Sequence, residues 1–300
     1  GNPSANALSK ESIARIGAIL KKRPDLILLT DDVYGTFVPG FRSLMGAFPY
    51  NTIGVYSYSK YFGCTGWRLG TIAVHEHNIF DDMIARHPEA VKKKLDKRYG
   101  NLTLEPRKIA FIDRIVADSR DVALNHTAGL SLPQQVMMCL FSLYELMDAR
   151  KDYQKACIGI VKKRVHATIE GLGIKVEANP HFDWYYGIID LEFWLKKHVE
   201  PECVEWIRQN IHPLDIVFRL AEDYGIVLLN GGGFEAPDWS VRVSFANLDD
   251  HVYDDIGRAV RAIARGYVQA YEASTGALAA RQASGAPTGK SVKAKRTKGR

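Results

Sequence analysis

Apolar residues recur at helical spacing from 9 to 22, with Ile13, Ile16, Ile19 and Leu20 on one face, which predicts an amphipathic helix. The rhythm then changes. Leu26-Ile27-Leu28-Leu29 is a short continuous apolar run of the kind buried in a parallel sheet, and 52–56 and 69–74 predict two more strands. From 78 to 130 the chain turns charged and helix-prone, and Lys92-Lys93-Lys94 with Lys97-Arg98 read as a solvated face or a subunit contact. A sustained helical pattern follows from 133 to about 171, bent near Asp148, with Pro133 suited to a first turn and Gly171 to a C-terminal stop. Alternation then resumes, with strands near 174–176 and 185–191, a helix around 204–224, strands at 226–229 and 241–245, and a helix at 252–271. Strands interleaved with helices indicate an α/β chain. The expected division is a large-domain portion at 1–147 that includes a long helical insert at 78–130, a smaller α+β domain at 148–273, and a tail at 274–300.

Composition narrows the class. The chain has 300 residues, 46% of them hydrophobic and 25% charged, as expected of a soluble globular protein. No apolar run approaches the roughly 18 residues needed to span a bilayer, and the start of the chain lacks a charged and then apolar leader pattern. The expected location is cytoplasmic. Cys64, Cys139, Cys157 and Cys203 are widely spaced with no CxxC pair, so they read as reduced thiols, most of them in the core. The net charge of +6 would suggest nucleic acid if it covered a folded face. From Ser274 onward, however, there are seven Lys or Arg and no acidic residue, so the body is close to neutral. That segment, rich in Ala, Ser, Gly, Thr and Lys, reads as a disordered tail; nonspecific contact with nucleic acid is the lesser reading and a solubilising role the greater.

Chemistry concentrates after the second predicted strand, in Ser57-Tyr58-Ser59-Lys60-Tyr61-Phe62-Gly63-Cys64-Thr65-Gly66-Trp67-Arg68-Leu69-Gly70. A lysine at the end of a buried strand is placed to form a Schiff base with a carbonyl compound, and the hydroxyls of Ser57 and Ser59 with the guanidinium of Arg68 could bind a dianionic phosphate. A surface loop with an ordinary lysine and arginine is the competing reading. Upstream, Thr30-Asp31-Asp32-Val33-Tyr34 puts carboxylates at a strand end, where a helix N-cap is the ordinary role. Near the other end, Arg242 interrupts the apolar run Ser240-Val241-Arg242-Val243-Ser244-Phe245-Ala246, and an outward-facing strand arginine is the ordinary explanation.

The SxSKxxxxxGxRxG pattern resembles the signature of the fold-type-I aminotransferase superfamily, whose members use pyridoxal 5'-phosphate (PLP). The resemblance implies a PLP-dependent transferase fold of the aspartate aminotransferase type, with a mixed, mostly parallel sheet in a partial large domain and a smaller α+β C-terminal domain. It implies that Lys60 is the lysine that carries PLP and that Ser57, Ser59 and Arg68 lie at its phosphate. It further implies that Asp31, rather than Asp32, pairs with the pyridine nitrogen, and that Tyr34 contacts the phenolic oxygen. Asn2-Pro3-Ser4 resembles the family's Asn-Pro-Thr turn, which would put Asn2 at that same oxygen. Arg242 falls on the arginine that grips the substrate α-carboxylate, with Asn230-Gly231-Gly232-Gly233-Phe234 as a flexible loop before it. No metal is implied.

The long 78–130 region and the run Asn125-His126-Thr127-Ala128-Gly129-Leu130-Ser131-Leu132-Pro133-Gln134-Gln135 resemble the aspartate 4-decarboxylase branch, over nearly all of 1–272. That resemblance implies β-decarboxylation of L-aspartate to L-alanine and CO2, with aspartate aminotransferase side activity, in a homo-oligomer that is a dimer or larger. Another class I or II aminotransferase, or a non-catalytic folded fragment or assembly subunit, is the alternative. Relatives bring a Gly/Ser-rich phosphate turn and a ring-stacking aromatic from sequence before the Asn-Pro turn, so this chain is expected to be a C-terminal portion of such an enzyme.

Overall fold

In the computed structural model, which describes residue 2 and residues 4–121, 129–175 and 179–283, Ser9 starts the first helix, α1 (Lys10–Lys22). Its hydroxyl accepts the Ser12 N–H and so satisfies one of the donors a helix start leaves unpaired. Strand β1 (Leu28–Asp31), a single helical turn α2 (Leu44–Ala47), β2 (Thr52–Ser57) and β3 (Gly70–Val74) follow. The strands form one sheet in the order β1-β2-β3. β1 and β2 are parallel, with Leu28 beside Thr52 and Asp31 beside Val55, whereas β3 is antiparallel to β2, with Ser57 opposite Gly70. Parallel pairing is thus confined to one ladder, because the 58–69 loop returns the chain directly to the neighbouring position without a crossover helix.

The run at Leu26-Ile27-Leu28-Leu29 is less enclosed than its composition predicts. Leu29 is 71% exposed and Ile72 on β3 is 50% exposed, so one face of this sheet is open among the described residues.

Among its described residues the 78–130 stretch contains three short α-helices, α3 (Ile79–Ala85), α4 (Glu89–Tyr99) and α5 (Phe111–Asp121). Asn78 caps α3 by accepting the Asp81 N–H, and Phe80 stacks on Phe111 with ring centroids 4.6 Å apart. Residues 122–128, which hold part of the run at 125–135, lie outside the described residues. Helix α6 (Leu132–Met147) begins with Pro133 in its first turn and a reciprocal cap between Ser131 and Gln134. The bend expected near Asp148 is a complete break. The Asp148 carboxylate accepts the N–H groups of Asp152 and Tyr153 and starts a new helix, α7 (Asp152–Leu172). That helix ends at Gly173, whose φ of +75° is the left-handed conformation of a C-terminal stop, rather than at Gly171.

The remaining elements are β4 (Tyr186–Asp190), α8 (Leu191–His198), α9 (Pro201–Asn210), α10 (Asp215–Tyr224), β5 (Leu229–Asn230), β6 (Ser240–Ser244) and α11 (Val252–Ala283). A second sheet has the order β4-β6-β5, with β5 antiparallel to β6. The single helix expected around 204–224 is two, separated at 211–214, where Pro213 has no N–H to continue the ladder. Residues 174 and 175 form no strand, and 176–178 lie outside the described residues. Helix α11 continues through 274–283, which composition assigns to the tail, while 284–300 lie outside the described residues.

Contacts divide the chain into two compact units. The first comprises Gly1–Ala167, Lys175–Gly187 and Ser244–Tyr253, and holds the first sheet and its helices. The second comprises Thr168–Ile174, Ile188–Val243 and Asp254–Arg300. Its core is formed by Leu191, Leu195, Ile207, Ile216, Leu220, Val241, Val243, Ile256 and Ile263, all essentially without solvent contact. Of the cysteines, Cys64 and Cys203 are buried, Cys157 is half-buried and Cys139 is exposed, so only two of the four are core residues.

Candidate functional site

β1 and β2 end side by side, since Asp31 is in register with Val55 and the Asp32 N–H donates to the Val55 carbonyl at 2.9 Å. Their carboxyl ends share one edge, the edge at which open α/β sheets bind ligands. Asp31 closes β1, and its Oδ1 accepts the Val33 N–H at 3.1 Å. The Asp32 Oδ1 accepts the Thr30 hydroxyl at 2.7 Å. Both carboxylates, with Tyr34, Asn6 and Asp183, line a cleft of about 170 Å³. Asn2 is exposed in the turn preceding Ala5, and the Ala5 carbonyl accepts the Asp183 N–H at 2.7 Å. The start of the chain therefore runs along the cleft at Asp31.

Tyr34 is buried, with its ring 5.3 Å from both Tyr185 and Tyr186. Burial, followed by a hydrogen bond with Tyr186, pushes its phenol well above the usual range. It is therefore a neutral hydroxyl at any physiological pH.

The turn after β2 is organised by side chains as well as backbone. Ser57 Oγ donates to the Leu69 carbonyl and accepts the Ser59 N–H, both at 3.2 Å. The Cys64 N–H returns to the Ser59 carbonyl at 3.0 Å, and the Cys64 thiol donates to the Tyr58 carbonyl at 3.2 Å. Ser59 is buried and Lys60 half-buried, with the Lys60 Nζ 5.9 Å from the centre of the Tyr185 ring. The β2–β3 ladder extends one bond further, from the Tyr58 N–H to the Leu69 carbonyl at 3.1 Å, which brings Arg68 alongside the Ser57–Ser59 turn. Arg68 is exposed and adopts a φ of +56°, a conformation that costs a non-glycine residue about 1 kcal/mol. Its Nη1 donates to the Thr65 carbonyl at 3.1 Å.

One sheet edge thus carries Asp31 at the end of β1, Ser57, Ser59 and Lys60 at and just after the end of β2, and Arg68 shortly before β3, with the Arg68 guanidinium turned to the Thr65 carbonyl. Such a donor set suits a phosphorylated heteroaromatic aldehyde: cation and hydroxyls for the phosphate, amine for the carbonyl, carboxylate for a protonated ring nitrogen. Arg242 belongs to the second unit, on β6 opposite Leu229. It is half-buried, and its guanidinium carbon sits 4.0 Å from the centre of the Phe234 ring. The Asn230–Phe234 segment before it folds as a short 3-10 turn in which Gly231 is buried. No group of three or more His, Cys, Asp or Glu placed to hold a metal occurs among the described residues.

Sequence reasoning missed the aromatic wall of Tyr185, Tyr186 and Phe37. Tyr185 packs on Phe37 at 5.0 Å and on Tyr186 at 5.1 Å, and burial pushes its phenol up to about 12. The available signal was the run Phe182-Asp183-Trp184-Tyr185-Tyr186, four aromatics in five residues, which strand periodicity alone absorbs.

Residues 1–109 match the family described as aminotransferase class I and II. Over those residues the chain is similar to that family. A bifunctional aspartate aminotransferase and L-aspartate beta-decarboxylase from Pseudomonas sp. is 46% identical over 273 residues, which is 91% of this chain and 51% of that protein. Among solved structures, the aspartate aminotransferase from Thermus thermophilus with maleate superimposes with a TM-score of 0.54 at 18% identity, covering 88% of this chain and 54% of its own. The aspartate aminotransferase from Thermotoga maritima gives 0.52 at 18%, with 88% and 54% covered. These structures show the aminotransferase fold. The aminotransferase-like chain spans about half the length of the relatives it matches. No helix among its described residues is long and apolar enough to cross a membrane.

Proposed function

We propose that this chain is part of a PLP-dependent enzyme that β-decarboxylates L-aspartate to L-alanine and CO2, with aspartate transamination as a side reaction. The observation that carries the reading is the 46% identity to the Pseudomonas bifunctional enzyme across 91% of the chain, which continues well past the residues matching the general family. The grouping of Asp31, Ser57, Lys60 and Arg68 at one sheet edge supports it. The same reading makes the enzyme cytoplasmic and a homo-oligomer of two or more copies.

When bound, PLP supplies an electron sink for charge developing at the substrate Cα and Cβ. The chain's own groups do the rest. Ser57, Ser59 and Arg68 hold the phosphate, and the Asp31 carboxylate keeps the pyridine nitrogen protonated. The Tyr34 hydroxyl and the Asn2 amide hold the phenolic oxygen. Lys60 would anchor the carbonyl carbon, and its amine would hold and return the proton at the substrate Cα. Arg242 orients the substrate through its α-carboxylate. Alanine would require loss of the β-carboxylate as CO2, a proton delivered to Cβ and one returned to Cα, and release of the amino acid by the returning Lys60 amine, whereas entry of water before CO2 loss would release oxaloacetate and leave the amino group on the cofactor.

The test uses the protein at its native length with PLP and labelled L-aspartate. Alanine and CO2 should appear in equal amounts, and Lys60→Ala should lower the rate about 10^3-fold or more. Oxaloacetate formed with a keto-acid acceptor, without alanine, would make the protein a plain aminotransferase and sink the decarboxylase reading.

A further inference from the structure

Lys60 is not held by an ion pair: no salt bridge or hydrogen bond from its Nζ to a described residue is present, and its nearest defined partner is the ring of Tyr185 at 5.9 Å. That ring is 6% exposed and belongs to a packed cluster, touching Tyr34 at 5.3 Å, Phe37 at 5.0 Å and Tyr186 at 5.1 Å. The cluster ties it to both halves of the sheet edge. Phe37 packs in turn on Tyr61, the residue after the lysine, at 6.0 Å, and the Tyr61 hydroxyl donates to Glu145 on α6 at 3.1 Å. The Tyr61 carbonyl accepts the Tyr153 hydroxyl from α7 at 2.9 Å. The backbone next to Lys60 and the Tyr185 ring are thus each anchored by packed neighbours, with the half-buried Lys60 side chain reaching toward that ring.

Resting on the proposed function, we propose that Tyr185 is a positioning residue for Lys60: the face of its ring holds the lysine arm in place for bond formation with a carbonyl. The role belongs to the ring and not to the hydroxyl. No described residue makes a hydrogen bond with the Tyr185 hydroxyl, and a phenol pushed up to about 12 is no proton acceptor near neutral pH. The attraction between an ammonium and an aromatic face persists in phenylalanine and disappears in any aliphatic side chain of the same volume. A lysine arm freed of this restraint samples more rotamers, so the expected effect is a loss of pre-organisation without a change in fold.

The experiment compares the protein at its native length with its Tyr185→Phe and Tyr185→Met variants, the second chosen because methionine fills space adaptably without an aromatic face. First, without PLP, amines are pulse-labelled by reductive methylation and the extent at Lys60 is read by mass spectrometry against the exposed Lys10. Tyr185→Phe should label as the parent does, and Tyr185→Met about threefold faster at Lys60 alone, consistent with the strength of a partly exposed cation–aromatic contact. Second, PLP is added and the adduct is trapped by borohydride and mapped; half-saturation should rise by a similar factor in Tyr185→Met only. Equal labelling of Lys60 in all three proteins overturns the inference, as does a Tyr185→Phe change as large as that of Tyr185→Met, which would assign the role to the hydroxyl. If the labelling pattern is as expected but no PLP is trapped at Lys60 in any protein, the cofactor reading fails and the positioning contact stands. Thermal unfolding of each variant checks that Tyr185→Met is folded; if it is not, Tyr185→Leu replaces it in both arms.

Discussion

Arg68 is the residue at which conformation and proposed function pull apart. Its φ of +56° is ordinary for glycine and unfavourable for arginine, so the strain is tolerated at the position where a guanidinium is wanted beside Ser57 and Ser59. Two substitutions separate the effects. Arg68→Gln keeps the strain and removes the charge; the PLP concentration giving half-maximal absorbance change should rise about tenfold, the loss expected for one charge-assisted hydrogen bond. Arg68→Gly removes the charge and the strain together, so it should bind PLP as poorly as Arg68→Gln yet unfold at a higher urea midpoint, by about 1 kcal/mol. If both variants bound PLP like the parent, Arg68 would have no place at the phosphate. Lys60, Ser57 and Asp31 could all be picked out in the sequence, because each lies within a few residues of a strand end and the family pattern is local. Tyr185 could not be. It lies far along the chain from Lys60, and a ring contact of that separation leaves no trace in periodicity.

At the scale of elements, the crossing of α7 and α11 in the second unit rests on two glycines. A Cβ on Gly171 would lie 2.5 Å from the Asp254 carbonyl and 3.0 Å from the Gly257 Cα, and one on Gly257 would strike the Thr168 carbonyl. These obstacles are backbone, which cannot rotate aside. Gly257→Ala should therefore destabilise the protein by roughly 1–3 kcal/mol despite alanine's better helix propensity, read as a lower urea midpoint. Gly276→Ala, in the same helix with open space around it, should be neutral or slightly stabilising. Equal effects at the two sites would mean that the helices are not in close contact there. Gly171 was legible as a special position, but as a helix stop; its use in packing depends on a partner more than eighty residues away. The α1 and β2 boundaries are close to those the pattern predicts because Ser9 caps the helix and the strand's ends are marked by polar residues. Helix α8 was hidden because Leu191 continues the apolar run of β4; only the Asp190 side chain, accepting the Phe193 N–H at 2.9 Å, turns the chain from strand to helix.

For the whole molecule, the fold class was legible and the exposure of the first sheet was not. An apolar run states that burial is favourable and says nothing about what covers it, and Leu29 at 71% exposure shows the difference. Burial that is realised has a consequence at high pH. In the folded chain the Tyr185 phenol is pushed up to about 12 by burial, whereas in the unfolded chain it titrates near its usual value of about 10. The folded state therefore holds a proton that the unfolded state has released. The stabilising contribution of the neutral ring is complete below about pH 10 and is lost as pH rises through the window from about 10 to about 12, at a limiting slope of about 1.4 kcal/mol per pH unit. Tyr34 and Tyr61 are raised as well, so the parent protein should lose stability steeply across this window. Tyr185→Phe removes one proton from the balance without opening a large cavity. Urea midpoints measured at intervals from pH 9 to 11 should then fall less steeply for Tyr185→Phe than for the parent, so that the parent loses stability relative to the variant as pH rises. Parallel curves would mean that the Tyr185 ring reaches water in solution, which would also remove the wall against which Lys60 is held.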